Sequence, residues 1–175
     1  MSLLIDLPAN VRAGLPTAEA RPTVPRILAT MATARYAAVF LHRVAHRMRA
    51  VWPLAAAVKQ LNQFLTGADI APEAQIGAGL ILYHPNGVVI GAGALLGRRC
   101  VLQQGVTVGG LGGPRSAGTI RTVLGDDVTL GAGARVIGAV EVGDRSTVGA
   151  NAVVTRSVPA DSVATGVPAV ARPRR

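Results

Sequence analysis

Residues 124–154, LGDDVTLGAGARVIGAVEVGDRSTVGANAVV, return an aliphatic side chain at every sixth position: Leu124, Leu130, Val136, Val142, Val148 and Val154. A strand repeats every two residues and an α-helix near 3.6, so a period of six requires a unit that restarts every sixth residue. A hexapeptide β-solenoid is such a unit. The ladder continues upstream through Ile90, Leu96, Leu102 and Val108, and another runs Ile70, Ile76, Leu82, Val88. Four residues after the ladder positions stand mostly smaller residues, among them Ala74, Ala94, Cys100, Val128, Ala134 and Ala152. Each unit thus points one branched and one smaller side chain inward, with Gly or another small residue at the tight corner. Three units make one coil, and each coil buries its interior only against its neighbours. Residues 68–158 then hold roughly five coils.

Composition narrows the function. Half of the 175 residues are hydrophobic, enough for one domain with a real core and an appendage. Aromatics at 3% exclude a stacking platform for single-stranded nucleic acid. The net charge of +9 is almost all arginine, Lys59 being the only lysine, and it is scattered rather than arranged as a recognition motif. No nucleic-acid partner is expected, and a phosphate-rich small ligand is the better reason for the charge. Cys100, the single cysteine, falls in a small inward slot and reads as a core thiol rather than a nucleophile. His42 and His46 have helical i, i+4 spacing but no Glu or Cys beside them, so no metal is expected. The apolar start contains Asp6 and no basic leader, and no stretch is long enough to span a bilayer. A cytoplasmic protein without membrane contact is the expectation.

Along the chain, residues 1–25, with Pro8, Pro16, Pro22 and Pro25, read as an irregular arm. Residues 26–67 read as a helical cap over the solenoid's first coil, with Pro53 opening or interrupting a second helix that Gly67 ends. The solenoid spans 68–158, and 159–175 form a carboxy-terminal tail. Two interruptions break the ladder. At His84-Pro85-Asn86-Gly87 it slips by two residues, which predicts an enlarged corner; over 109–122 the phase is lost, which predicts a projecting loop. Insertions of this kind usually mark the binding face of a repeat protein.

His84 is the solenoid's only histidine and lies in the first of these interruptions. Ile70 and Val88 are one coil apart in this reading, so Asp69 and the His84 turn share an edge. A carboxylate one coil below an imidazole can orient it and stabilise its protonated form, which fits His84 as a general base. The alternative is a solvated turn histidine above a turn-forming aspartate.

The segments ADIAPEAQIGAGLILYHPNGVVIGAGALLG, LQQGVTVGGLGG, LGDDVTLGAGARVIGAVEVGDRSTVGANAVV and SVPADSVATGVPA resemble the hexapeptide acyltransferases of the serine O-acetyltransferase branch over about 65–169. The resemblance implies a mainly β fold, a left-handed parallel β-helix under a helical cap. It also implies a homotrimer with active sites between subunits and acetyl-CoA as co-substrate. It assigns His84 as the catalytic base, Asp69 as its partner, and Gly110, Ala132 and Ala150 as backbone lining the pantetheine groove. Arg115 and Arg121, in the projecting loop, are the candidates for the phosphates of CoA. This chain departs from the branch where it holds amino acids: Tyr83 stands in place of an Asp, Ala92 in place of a Glu, and Ile120-Arg121-Thr122 in place of an Arg-His-Pro segment. The expected activity is acetyl transfer from acetyl-CoA to the hydroxyl of a small molecule other than serine. The alternatives are serine O-acetylation and a non-catalytic trimeric scaffold.

Overall fold

The computed structural model describes residues 2–15, 17, 20–110 and 121–174. Four helices, α1 (Leu7–Ala13), α2 (Val24–Met31), α3 (Ala34–Arg47) and α4 (Trp52–Thr66), precede a three-sided stack of very short strands. The first face stacks Asp69–Ile70, Val89–Ile90, Thr107–Gly109, Arg135–Ile137 and Val153–Val154. The second stacks Gln75–Ile76, Ala94–Leu96, Thr122–Leu124 and Glu141–Val142. The third stacks Ile81–Leu82, Val101–Leu102, Thr129–Leu130, Thr147–Val148 and Ser162–Thr165, and Val170–Pro173 closes it antiparallel. Every other pairing between these strands is parallel, the pattern that coiling on a six-residue unit produces.

The inward ladder is buried throughout: Ile70, Leu82, Ile90, Leu102, Val108, Leu124, Leu130, Val136 and Val148 are at most 1% exposed. The smaller inward slots, Ala74, Ala94, Cys100, Val128 and Ala134, are fully buried beside them. One ladder assignment is corrected. Ile70 pairs with Ile90 rather than lying level with Val88, and Asp69 pairs with Val89. The first coil is therefore twenty residues long against eighteen for the next, from Val89 to Thr107, and Val88 fills a small slot. The two extra residues are accommodated in the His84 turn.

Corners are a second correction. Besides Gly79, the left-handed positions of one corner are held by charged residues, Arg99, Asp127, Arg145 and Asp161, with φ between +54° and +58°. Such residues strain the backbone there. Bidentate contacts join them from coil to coil: Arg99 to Asp127 at 2.6 and 2.5 Å, and Arg145 to Asp161 at 2.7 and 2.6 Å. The hydrogen bonds from these guanidinium groups hold the carboxyls of Asp127 and Asp161 below the usual range.

The expected irregular arm contains α1 and the start of α2, and the expected tail contains two strands of the third face. The stretch from 26 onward is not one helix. It breaks between Met31 and Ala34, where Thr33 turns extended and its hydroxyl accepts the Tyr36 N–H, an N-cap. Pro53 opens α4, and Gly67, at φ +75°, ends it.

Asp6 and Arg43 fasten the cap to the open end of the solenoid. Their ion pair at 2.8 Å is buried, 1% and 6% exposed. Arg43 donates to the carbonyls of Ile76 (2.5 Å) and Gly77 (2.6 Å), and Asp6 Oδ1 accepts from the N–H groups of Gly79 (2.8 Å) and Leu80 (3.1 Å). Asn10 donates to the Leu80 carbonyl, and His46 Nδ1 lies 2.7 Å from the Pro72 carbonyl. Backbone groups that would be left bare at the first coil's edge are thereby satisfied.

Candidate active site

The third face delivers the chain to an enlarged corner. The Tyr83 N–H donates to the Leu102 carbonyl, and the turn His84-Pro85-Asn86-Gly87 then swings out before Val88 re-enters the core. Gly87, at φ +70°, donates to the Gly67 carbonyl below, and the Asn86 carbonyl accepts from Gly105 above, both at 3.0 Å. Gly67 suits this place because its φ of +75° is left-handed, and a Cβ there would also press on Asn86 Oδ1 at 2.3 Å. The turn is thus held on both sides while the His84 side chain is exposed. Tyr83 is 41% exposed, and the Arg35 guanidinium of α3 sits 5.8 Å from its ring centroid.

Asp69 stands two residues after the capping Gly67, and its N–H donates to the Val88 carbonyl at 2.8 Å, so it stands on the same edge as the turn. Its carboxylate is held by Lys59 of α4, with Nζ 2.5 Å from Oδ1. Among the described residues Asp69 makes no hydrogen bond to His84. Lys59 and Arg35 are the residues that sequence reasoning missed. Lys59 did carry one signal, as the only lysine of an arginine-rich chain. Its distance from Asp69 depends on how α4 packs on the first strand, which periodicity does not report.

Above the turn the same corner continues as a backbone column. The Asn86 carbonyl accepts from Gly105, Gln104 from Gly133, and Ala132 from Asn151, at 3.0, 2.8 and 2.8 Å. Ala132 and Ala150 therefore lie on the corner of His84. The stacking is close: a Cβ on Gly131 would lie 2.7 Å from the Ala150 nitrogen. Gly110 and Arg121 belong to a different corner, the one between the first and second faces; most of the loop expected to project there, residues 111–120, lies outside the described residues. There Gly109 accepts from Gly138 at 3.0 Å and the Thr122 hydroxyl donates to the Gly138 carbonyl at 2.7 Å, fixing the return of the chain. Both Gly110 and Arg121 are exposed. Arg115 lies outside the described residues.

Cys100 is buried and its thiol is pushed up to about 12, mainly by desolvation, which leaves it inert as a nucleophile. Among the described residues no group of three or more His, Cys, Asp or Glu side chains comes together as a metal site.

A three-sided parallel solenoid wound on a six-residue unit defines the class, a hexapeptide-repeat protein. Residues 121–156 match the family described as bacterial transferase hexapeptide (six repeats), and residues 87–110 match the hexapeptide repeat of succinyl-transferase. Among curated proteins, the serine acetyltransferase of Helicobacter pylori is 42% identical over 134 residues, covering 75% of this chain and 77% of that protein. Those of Mycobacterium tuberculosis and Synechococcus elongatus are 44% and 38% identical, over 75% and 76% of this chain. This chain spans only 57% and 54% of their lengths. Among solved structures, soybean serine acetyltransferase complexed with serine superposes with a TM-score of 0.83 at 32% identity, over 97% of this chain and 68% of that one. A serine acetyltransferase in complex with CoA gives a TM-score of 0.83 at 28% identity, over 97% and 68%. The chain belongs to the serine acetyltransferase family.

Proposed function

We propose that this chain is an acetyl-CoA-dependent O-acetyltransferase, built on a β-helix of left-handed sense and working as a homotrimer, with His84 as general base. The observation that carries this is the exposed His84 imidazole, on a turn braced from both sides and continuous with the backbone column of Ala132 and Ala150. His84 takes the acceptor's hydroxyl proton as its oxygen bonds to the thioester carbonyl carbon. The carbon–sulfur bond then breaks, and the imidazolium returns its proton to the departing CoA sulfur. Backbone N–H groups at the corner stabilise the oxyanion between these steps. Asp69 orients the imidazole.

Within one subunit, Ala132 and Ala150 stand on one corner and Gly110 and Arg121 on another, so a groove using all four needs the corners of adjacent copies. That supports the trimer. Arg121 at its mouth would meet CoA's phosphates, and Arg115 remains the second candidate from the sequence alone.

For the acceptor, the names of the relatives favour L-serine over the non-serine acceptor expected from the sequence alone. A specific arrangement favours the second reading, a hydroxyl compound without an amino-acid head. Tyr83 beside His84 carries the Arg35 cation, and one oxygen of the Asp69 carboxylate is already held by Lys59. An ammonium would have to compete with both. The deciding experiment measures acetyl-CoA consumption with L-serine, homoserine, sugars and amino alcohols at matched concentrations. Selective turnover of serine establishes the first acceptor, turnover of another alcohol the second, and no turnover of any defeats the acetyltransferase reading.

A further inference from the structure

Of eighteen Lys and Arg residues in the chain, seventeen are arginine, yet the cation on Asp69 is Lys59. The pair is partly exposed, 28% and 34%, and an ion pair so placed adds little to stability. The fold therefore does not account for it. The chain shows what an arginine does in such a role: Arg99 and Arg145 each take both oxygens of their aspartate. An ammonium is a point donor, and Lys59 contacts Oδ1. Among the described residues Oδ2 of Asp69 has no hydrogen-bond partner, on the edge that carries the His84 turn.

We propose that Lys59 is a positioning residue for the acetyl transfer proposed above: from α4 it anchors one oxygen of Asp69 and leaves the other for the imidazole of His84. The inference rests on that functional reading. It predicts that arginine, the conservative replacement, fails, because its fork takes the oxygen that His84 needs.

The test is steady-state kinetics of Lys59→Arg and Lys59→Gln with acetyl-CoA and the best acceptor of the panel, L-serine first, with His84→Ala run alongside. Both Lys59 variants should lose about tenfold in kcat with KM for acetyl-CoA unchanged. A wild-type rate in Lys59→Arg overturns the single-oxygen role, and a wild-type rate in Lys59→Gln overturns any role. An impaired His84→Ala beside silent Lys59 variants removes only this inference, whereas a fully active His84→Ala removes the base assignment itself. Should a variant fail to fold, the wild-type chain still decides. Lys59 is its one side-chain amine, so an N-hydroxysuccinimidyl acetate reagent on the folded protein neutralises it selectively among side chains. Loss of rate with modification of Lys59 supports the role, and full activity after complete modification overturns it.

Discussion

His84 joins exposure of the side chain with a backbone held on both sides behind it. Gly67 and Gly105 hold its turn from below and above, so a substitution at the imidazole should leave the fold intact. His84→Ala should therefore lower kcat about 100-fold or more while CoA affinity stays near wild type, because a general base acts in the transition state and not on the donor. Asp69→Asn should cost less, since it removes an orienting charge and leaves the base; calorimetric titration with CoA beside the rate assay separates these effects. The histidine was legible because it fell where the period of six failed. Its surroundings were not: Arg35 reaches Tyr83 from a helix 48 residues earlier, and no local pattern encodes that approach.

At the scale of elements, the cap is held by charges rather than by packing alone. Burying Asp6 and Arg43 together is tolerable because each also satisfies backbone groups of the first coil, so removing one leaves its partner buried without a counter-ion. Arg43→Met should destabilise the chain by roughly 3–5 kcal/mol, read as a lower urea midpoint. The neighbouring His42 gives α3 an acid sensitivity. It is buried, among the described residues neither ring nitrogen has a hydrogen-bond partner, and desolvation, reinforced by Arg43 and His46, lowers it from 6.5 to about 3. Between those values the unfolded chain binds a proton that the folded chain refuses, so stability falls as pH drops through that window. His42→Leu should flatten the fall; equal urea midpoints for variant and wild type at both pH 7 and pH 4.5 would count against it. Helical structure over 26–67 was readable, whereas α1 fell in the expected irregular arm, and the Thr33 cap shows where one expected helix becomes two. The role of Asp6 was not readable, since an acid near a chain start reports nothing about an edge more than seventy residues away.

For the whole molecule, the ladder of six made the solenoid, its core and the enlarged His84 corner legible in the sequence. It could not show which corners face each other, because that depends on coil registers and on contacts between copies. The register places Ala132 and Ala150 on the His84 corner and Gly110 and Arg121 on the loop corner, so one subunit presents two incomplete halves of the proposed CoA groove. The chain should therefore sediment as a trimer, with one CoA per subunit. Its CoA affinity should fall as salt rises, since Arg121 at the loop corner would meet phosphates in water, where added ions shorten a screening length of about 8–10 Å. Arg121→Ala should weaken CoA binding and reduce that salt dependence, while His84→Ala should change neither. A monodisperse monomer that still binds CoA with full affinity would defeat the two-corner groove, because half of its lining would then be unnecessary. A trimer whose CoA affinity ignores both salt and Arg121 would keep the groove and remove the arginines from it.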